Sequence, residues 1–217
     1  MNSVLTLRRP FAALGLGALI ALGAVTAPTA SAAVLIDNFS EPTSATTIVA
    51  SDLWAAQSFT TASEAVWFDS VTLLLGLAVG NTSLSAELRA DGVQGPGALL
   101  AGLILPTLSG GAPQAELLTP AMAFQPVQLA PLTTYWLVLA TSADSFGWSY
   151  ALGNNASGPG QLGDYRYSSD SGLSWANFGA ADPYHVRIEV TPVPEPAAAW
   201  LLVAGLAVVL SRRRLLR

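Results

Sequence analysis

His185 is the only histidine in the chain, so a Ser-His-Asp triad or a histidine-containing metal site would have to use it. The motifs expected around such sites, G-x-S-x-G and H-E-x-x-H, do not occur. By its spacing, His185 shares a strand face with Arg187 and Glu189, which predicts a solvated side chain. No paired general acid and base is evident either. We therefore expect a protein that is not an enzyme, with a secreted hydrolase as the least favoured function.

Three aspartates in loop-like sequence, Asp164, Asp170 and Asp182, could offer oxygen ligands to Ca²⁺. Their spacing fits no EF-hand or other calcium loop motif, and aspartates are common in solvated turns. We therefore expect no cofactor and no metal, with calcium as the alternative. Cysteine is absent, which excludes disulfides and a thiol nucleophile.

A group of aromatic residues in the C-terminal half could stack on a sugar ring: Trp148, Tyr165, Tyr167 and Trp175. Exposed rings of this kind bind glycans through their flat faces, whereas the same rings turned inwards belong to a core. The core interpretation is favoured, and a glycan-binding module is the alternative function.

Residues 168–175 follow the pattern S-x-D-x-G-x-x-W. Asp170 can accept backbone N–H groups across a turn, Gly172 permits positive φ, and Trp175 can pack back on the hairpin. The pattern resembles the Asp box of sialidases and other secreted β proteins. Sialidases carry several copies and a separate catalytic set, and this chain has one copy. We therefore interpret the motif as structural.

Strands are predicted to position these residues, because apolar side chains recur with period two through the middle of the chain. Val71, Leu73 and Leu75 share one face, residues 84–89 alternate in the same way, and so do residues 184–190. Turn signals rich in glycine separate the runs. Residues 33–191 are therefore predicted to form one all-β domain, an antiparallel β-sandwich of jelly-roll type with about nine to eleven strands. An N-terminal signal helix and a C-terminal transmembrane helix flank it.

Several short motifs extend over most of this domain. They are Ala56-Gln57-Ser58-Phe59-Thr60-Thr61, Asp69-Ser70-Val71-Thr72-Leu73, the turn at 91–99 with Gly95-Pro96-Gly97, Thr134-Tyr135-Trp136, Phe146-Gly147-Trp148 and residues 168–175. Together they resemble the choice-of-anchor R family of exported bacterial proteins, whose C-terminal anchors vary. The resemblance implies a β-rich exported domain and no particular chemistry.

Residues 1–32 have the three regions of a secretory signal peptide. Arg8 and Arg9 supply the positive start, residues 11–25 are apolar, and Ala30-Ser31-Ala32 is a small-residue cleavage site. We predict cleavage between Ala32 and Ala33. A permanent N-terminal anchor is the alternative.

Residues 192–217 combine three parts: Pro194-Glu195-Pro196, an apolar segment at 197–210, and an arginine-rich end at 212–217 that contains Arg212, Arg213 and Arg214. The apolar segment makes about 21 Å of helix at 1.5 Å per residue. It is short for a hydrocarbon core of about 30 Å, which suits temporary insertion. The arginines place the C-terminus in the cytoplasm by the positive-inside rule.

This order of parts resembles the PEP-CTERM sorting signal, which exosortase processes in Gram-negative bacteria that make exopolysaccharide. The resemblance implies a single-pass precursor in the inner membrane and an exosortase-type processing enzyme as partner. It also implies delivery to the outer envelope or the extracellular space. A stalk with a permanent single-pass anchor is the alternative.

The charge of the middle region limits its partners. Three arginines stand against thirteen carboxylates between the two ends, a net charge near −10. Such a surface repels phosphate backbones, so we expect no nucleic-acid partner. We expect an exported cell-envelope or extracellular-matrix protein that is associated with exopolysaccharide or biofilm.

Overall fold

A computed structural model of the chain describes residues 31–79, 84–106, 116–143, 145–193 and 204–205. Between 31 and 193 the described residues form strands, turns and bends. Ala204 and Gly205 are helical, and the rest of the predicted transmembrane helix at 197–210 lies outside the described residues, as does the predicted signal helix. Within the described part, no helix has the length and apolar character needed to cross a membrane.

The described part of the chain contains twelve strands. They are β1 (Ala33–Asp37), β2 (Thr43–Ala50), β3 (Trp54–Thr60), β4 (Val66–Val79), β5 (Leu84–Gly92), β6 (Gly95–Ile104), β7 (Leu117–Leu129), β8 (Thr134–Thr141), β9 (Ser145–Ala151), β10 (Gln161–Ser168), β11 (Ala176–Asn177) and β12 (Val186–Pro192). The predicted nine to eleven strands fall short because an element such as β11 has two residues, too few to show a period-two pattern.

The strands form one curled antiparallel sheet in the order β1-β12-β4-β7-β6-β5-β8-β3-β10-β11, with β9 paired to β4 and β2 paired to β9. The link between β6 and β7 is short and runs through Leu103 with Ala123 and Ile104 with Met122. The sheet therefore has two larger parts on either side of this link. The prediction of an all-β, antiparallel fold is confirmed.

The hydrophobic core lies inside the curl. Val71 of β4 and Ile188 of β12 belong to one cluster with Phe59 of β3 and Leu137 of β8, so the two parts of the sheet pack on each other. Each of these side chains is almost fully buried, which stabilises the fold by roughly 1.5–3 kcal/mol per side chain. Because the chain has no cysteine, this core acts without disulfide cross-links.

The predicted alternation holds in β5 and β12. In β5, Ala86 and Leu88 are buried while Ser85 is exposed. In β12, Ile188 is buried while its neighbours Arg187 and Glu189 are half-buried. β8 differs because it is buried on both faces. Its outer face must therefore be covered by something other than the main core.

Two buried amide side chains satisfy the backbone where β12 begins. Asn38 donates to the Tyr184 carbonyl at 3.1 Å and accepts from the Val186 N–H at 2.8 Å. Gln57 accepts from the Tyr184 N–H at 2.9 Å and donates to the Gly163 carbonyl at 2.9 Å. Since Gln57 lies on β3, this side chain connects the two parts of the sheet by hydrogen bonds.

Candidate functional site

The described residues next to the two predicted processing sites lie at the same end of the sheet. β1 begins at Ala33 and runs antiparallel to β12, so Ala33 pairs with Val190, close to the end of β12 at Pro192. Ala32 and Ala33 are both exposed. The predicted sorting residues lie outside the described residues: Pro194, Glu195, Pro196, Arg212, Arg213 and Arg214.

Trp148 belongs to the core. Its side chain is 0% exposed, and its ring stacks on Tyr184 with the ring centres 4.2 Å apart. The indole N–H donates to the His185 carbonyl at 3.2 Å. A ring covered in this way has no face for a sugar, so the glycan-stacking hypothesis is wrong for Trp148.

Tyr165 and Tyr167 are half-buried on β10. The Tyr165 ring stacks on Phe178, with ring centres 5.5 Å apart, so one of its faces is covered. The Tyr167 hydroxyl donates to the Ile48 carbonyl at 3.3 Å. Burial raises the pKa of both phenols, which keeps them neutral at physiological pH. Both side chains therefore contribute to packing and hydrogen bonding, and they do not form an open surface on which a sugar could stack.

Residues 168–175 form a tight turn around Asp170. Its carboxylate accepts from the Ser174 N–H at 2.8 Å and from the Ser174 hydroxyl at 2.6 Å, and the Ser168 hydroxyl donates to it at 2.7 Å. The bonds from Ser174, with that from Ser168, lower the pKa of Asp170 to about 2. Gly172 has φ +83°, and a Cβ there would lie 2.8 Å from the Trp54 ring. Asp170 is thus a permanent acceptor in a structural turn and is unsuited to act as a general acid.

This turn borders a cluster of aromatic side chains on the outer face of the sheet. Trp136 and Val138 of β8 pack with Ala56 of β3, and Trp54 and Trp175 pack against them. Trp136 is buried, whereas Trp54 and Trp175 are half-buried. We call Trp54, Trp136 and Trp175 the tryptophan cluster. It covers the face of β8 that points away from the core.

Arg166 and the turn between β5 and β6 close over the tryptophan cluster. The Arg166 guanidinium lies 5.4 Å from the centre of the Trp136 ring, a cation–π distance, and it donates to the Gln94 carbonyl at 2.6 Å. The Trp136 indole N–H donates to Asp91 at 2.7 Å. Gly95, at φ +130°, lies so close that a Cβ would be 3.1 Å from the Arg166 side chain. These contacts hold the turn in place.

The tryptophan cluster is suited to binding more than to catalysis. Trp54 and Trp175 keep part of their rings exposed, and flat apolar rings beside polar groups are surfaces on which sugars stack. The bordering carboxylates of Asp91 and Asp170 already accept hydrogen bonds from protein donors. The cluster therefore offers ring faces without a free acid–base pair.

His185 is buried, with 1% of its surface exposed, so the prediction of a solvated histidine is wrong. The spacing assigned it to the same strand face as Arg187 and Glu189, but the segment between β1 and β2 folds over its ring. Phe39 stacks on the imidazole with ring centres 6.0 Å apart, and the Thr43 hydroxyl lies 3.3 Å from Nε2. Burial lowers the pKa of His185, so the ring is neutral at pH 7.

The exposed Glu116 and two hydroxyl groups lie beside the buried His185. The Ser149 hydroxyl donates to Glu116 at 2.6 Å, and the Thr43 hydroxyl donates to its other oxygen at 3.4 Å. In a catalytic triad the carboxylate would orient the imidazole through Nδ1. Here the carboxylate binds hydroxyls, and among the described residues Nδ1 of His185 has no hydrogen-bond partner. The arrangement lacks the geometry of a triad.

The three aspartates considered as calcium ligands are engaged separately. Asp164 accepts from the Asn177 amide at 2.9 Å, Asp182 accepts from the Gly153 N–H at 3.3 Å, and Asp170 serves its own turn. In the part of the chain that the structure describes, no group of three or more His, Cys, Asp or Glu side chains could hold a metal ion. The structure does not bring the calcium candidates together.

An open pocket of about 260 Å³ lies beside the start of β10, and it is lined by Asn154, Ala156, Gly160, Gln161 and Leu162. The Asn154 amide donates to the Leu162 carbonyl at 3.1 Å. These lining side chains hold no titratable group, so the pocket offers hydrogen bonds and no acid–base chemistry.

Sequence reasoning missed Trp54, Trp136 and Arg166 as neighbours of Trp175. A signal existed in the spacing. Trp54 and Ala56 are two residues apart, as are Trp136 and Val138, so the two residues of each pair share one strand face. The pairing of Ala56 with both Val138 and Arg166 brings the faces together. That register is not visible in any single segment.

Comparisons with protein-family models, with curated proteins and with solved structures found no match for this chain. The resemblances to the choice-of-anchor R family and to the PEP-CTERM signal therefore rest on the residues named above.

Proposed function

We propose that this is an exported, non-enzymatic protein of the cell envelope or extracellular matrix, delivered by a PEP-CTERM-type tail and associated with exopolysaccharide. The observation that carries the proposal is the tail itself. β12 ends at Pro192, and Pro194-Glu195-Pro196, the apolar segment and the arginines follow almost directly. In this proposal the tail holds the precursor in the inner membrane until an exosortase-type enzyme separates the β domain from it.

The position of the chain ends supports this route. The signal peptide would end at Ala32 and the tail begins after Val193, and the strands next to them, β1 and β12, are paired through Ala33 and Val190. Both connections to membrane segments therefore leave from one end of the domain. A domain attached in this way can rest against one membrane surface without a connection that crosses its length.

We infer that the domain is a β-sandwich of jelly-roll type. The curl packs the part of the sheet with β12 and β4 on the part with β8 and β3, and side chains from both parts belong to one core. The resemblance to the choice-of-anchor R family points in the same direction. A sandwich of this type is a rigid domain whose fold does not depend on removal of the tail.

The test follows the full chain in a Gram-negative host with an exosortase-type enzyme and in the same host without it. Mass spectrometry of the mature protein is expected to show a start at Ala33 in both hosts and loss of residues 197–210 only where the enzyme is present. Changing Pro194, Glu195 and Pro196 together to alanine is expected to stop removal of the tail, while the control Pro159→Ala leaves it unaffected. A tail that stays intact in both hosts contradicts sorting and indicates a permanent anchor.

The tryptophan cluster favours a second candidate function, the binding of a glycan. Trp54 and Trp175 are partly exposed on one face, and the Arg166 guanidinium lies over the ring of the third tryptophan, Trp136. Stacking on aromatic rings suits the apolar faces of sugars. Because the domain carries a charge near −10, a neutral polysaccharide fits better than an acidic one.

Affinity electrophoresis of the full chain in gels that contain a neutral polysaccharide tests this function. Wild-type protein is expected to be retarded, and Trp54→Ala and Trp175→Ala are expected to migrate faster. Leu173→Ala is the matched control, because Leu173 is an exposed apolar residue in the same turn but outside the cluster. If none of the four proteins is slowed by the polysaccharide, or if all four are slowed equally, glycan binding at this face is refuted.

A further inference from the structure

The end of the domain from which the tail leaves is built from two short turns. The Val193 N–H donates to the Ala65 carbonyl at 3.2 Å, which fixes the start of the tail to the turn between β3 and β4. That turn is joined to the next one, because the Leu132 N–H donates to the Ala62 carbonyl at 2.9 Å. The turn between β7 and β8, which contains Leu132, is thus attached to the point where the tail starts.

Leu132 is unusual in two respects. Its φ is +48°, a left-handed conformation that branched apolar residues rarely adopt. Its side chain is also 74% exposed, so the domain gains little from a leucine at this position. Other apolar residues are exposed as well, but Leu132 combines exposure with a left-handed backbone beside the start of the tail, which makes it the candidate for a contact outside the domain.

Two other apolar side chains lie at this end. Pro131 is exposed next to Leu132. Trp67 is half-buried near the start of β4, where it pairs with Thr191 of β12 and Gln128 of β7. Tryptophan is enriched where proteins meet the membrane–water interface, because its ring is both apolar and able to donate a hydrogen bond.

The length of the elbow brings this end close to the membrane. Residues 193–196 reach at most ~14 Å when fully extended. The headgroup layer takes up roughly 5–8 Å of that distance on one side of a bilayer. Val193, and with it the Ala65 carbonyl to which it is bonded, is therefore within about 10 Å of the headgroups whenever the apolar segment is inserted, and the turn that contains Leu132 adjoins this point.

We propose that this end of the domain rests on the bilayer that holds the tail, with Leu132 inserted among the lipids and Trp67 and Pro131 at the level of the headgroups. The inference rests on the proposed function, since the tail supplies the attachment. Glu64 is exposed in the adjoining turn and no arginine of the domain lies in either turn, so the contact fits a zwitterionic lipid surface.

The absence of cysteine makes a direct test practical. The full-length chain carrying Leu132→Cys is labelled with a fluorophore that responds to polarity and is reconstituted into phosphatidylcholine vesicles. Leu173→Cys is the matched control, because Leu173 is likewise an exposed leucine in a turn. It lies by the start of β3 near Trp54, whereas Leu132 lies by the far end near Thr60.

The label at position 132 is expected to emit at shorter wavelength and to lose most of its fluorescence when the lipids carry a quencher on their acyl chains. The label at position 173 is expected to show neither effect. A Pro131→Cys label, at the level of the headgroups, should also emit at shorter wavelength but be quenched less than the label at 132, which guards against a local disturbance of the turn. Labels at 131 and 132 that behave like the one at 173 overturn the inference.

Flotation of the vesicles separates this outcome from failure of the proposed function. If the chain floats with the vesicles and the label at 132 stays in water, the tail inserts and the contact at Leu132 is refuted. If the chain does not float, the tail is no membrane anchor, and both the sorting proposal and this inference fail.

Discussion

Replacement of Gln57 by methionine is expected to lower the free energy of unfolding by about 3 kcal/mol. Gln57 is fully buried on β3, where it accepts from the Tyr184 N–H and donates to the Ser58 and Gly163 carbonyls. Methionine has a similar length and volume, so the substitution removes hydrogen bonds with little change in packing. The effect therefore measures how far this amide stabilises the closed sheet.

The magnitude follows from the groups left without a partner. In Gln57→Met the buried Tyr184 N–H and the half-buried Gly163 carbonyl lose this partner, and each unpaired group costs roughly 1–3 kcal/mol. Burying a thioether in place of an amide offsets about 1 kcal/mol of this loss. For a domain of this size, a net loss of ~3 kcal/mol corresponds to a decrease in Tm of about 6–12 °C.

The assay is urea unfolding, followed by tryptophan fluorescence and by far-UV circular dichroism. The control is Gln161→Met, because Gln161 is exposed at the start of β10 and its substitution should change stability by less than about 0.5 kcal/mol. Coincident transitions by the two probes would justify a two-state free energy. If Gln57→Met costs no more than Gln161→Met, the buried amide does not stabilise the contact between the two parts of the sheet.

Gln57→Glu extends the same argument to pH. A carboxylate at this position would face two backbone carbonyls in the core, so its pKa in the folded state would rise above the ordinary value of about 4.3. The variant is then destabilised most at neutral pH, where the charged form must be buried. It regains stability as the pH falls through the raised pKa, which is opposite to the usual acid destabilisation. A variant whose stability does not increase on acidification would refute this reasoning.

Three further predictions concern single residues. The pKa of Asp170 is lowered to about 2, so its stabilising effect is complete above its unfolded-state pKa of 3.8 and is lost as the pH falls towards 2. Thermal unfolding should therefore show a Tm that decreases with falling pH in this range for the wild type, and this decrease should be absent in Asp170→Asn. Burial lowers the pKa of His185 below 6.5, so the wild type should lose stability as the pH falls below that value, and His185→Gln should lack this loss in urea unfolding. Gly158→Ala should cost about 2 kcal/mol or more, since φ is +106° and a Cβ would clash with the Leu35 carbonyl oxygen. Gly102→Ala, with open space at the Cβ position, should be tolerated in the same assay.

The parts of the fold that could be predicted are those that local alternation encodes. In β5, Ala86 and Leu88 face the core because polar residues alternate with them, and β12 follows the same rule. The turn at residues 168–175 could be predicted too, since its serine, aspartate and glycine bond to one another within eight residues. Local chemistry was sufficient in both cases.

Contacts between distant strands could not be predicted from the sequence. Gln57 and Tyr184 are 127 residues apart, and their hydrogen bond depends on the curl of the whole sheet. The spacing of His185 predicts a solvated strand face, yet Phe39 from another segment covers its ring. Trp136 is buried on the outer face because Arg166 and the turn at 91–97 fold over it. Register and curl are collective properties, so no single stretch of residues encodes them.

The two proposed surfaces lie at opposite ends of β3. Trp54 begins the strand beside the Asp170 turn, and Thr60 ends it beside the turn that contains Leu132, about 20 Å away at 3.3 Å per residue. With the Leu132 end on the bilayer, Trp54 would lie at the far end of β3 from the membrane, where a matrix polysaccharide could reach it. The affinity of a glycan for the site at Trp54 should then be the same with and without the tail. Chain with an intact tail in vesicles and processed chain in solution should bind the same polysaccharide with equal affinity, and a large difference would show that the two ends of the domain are coupled.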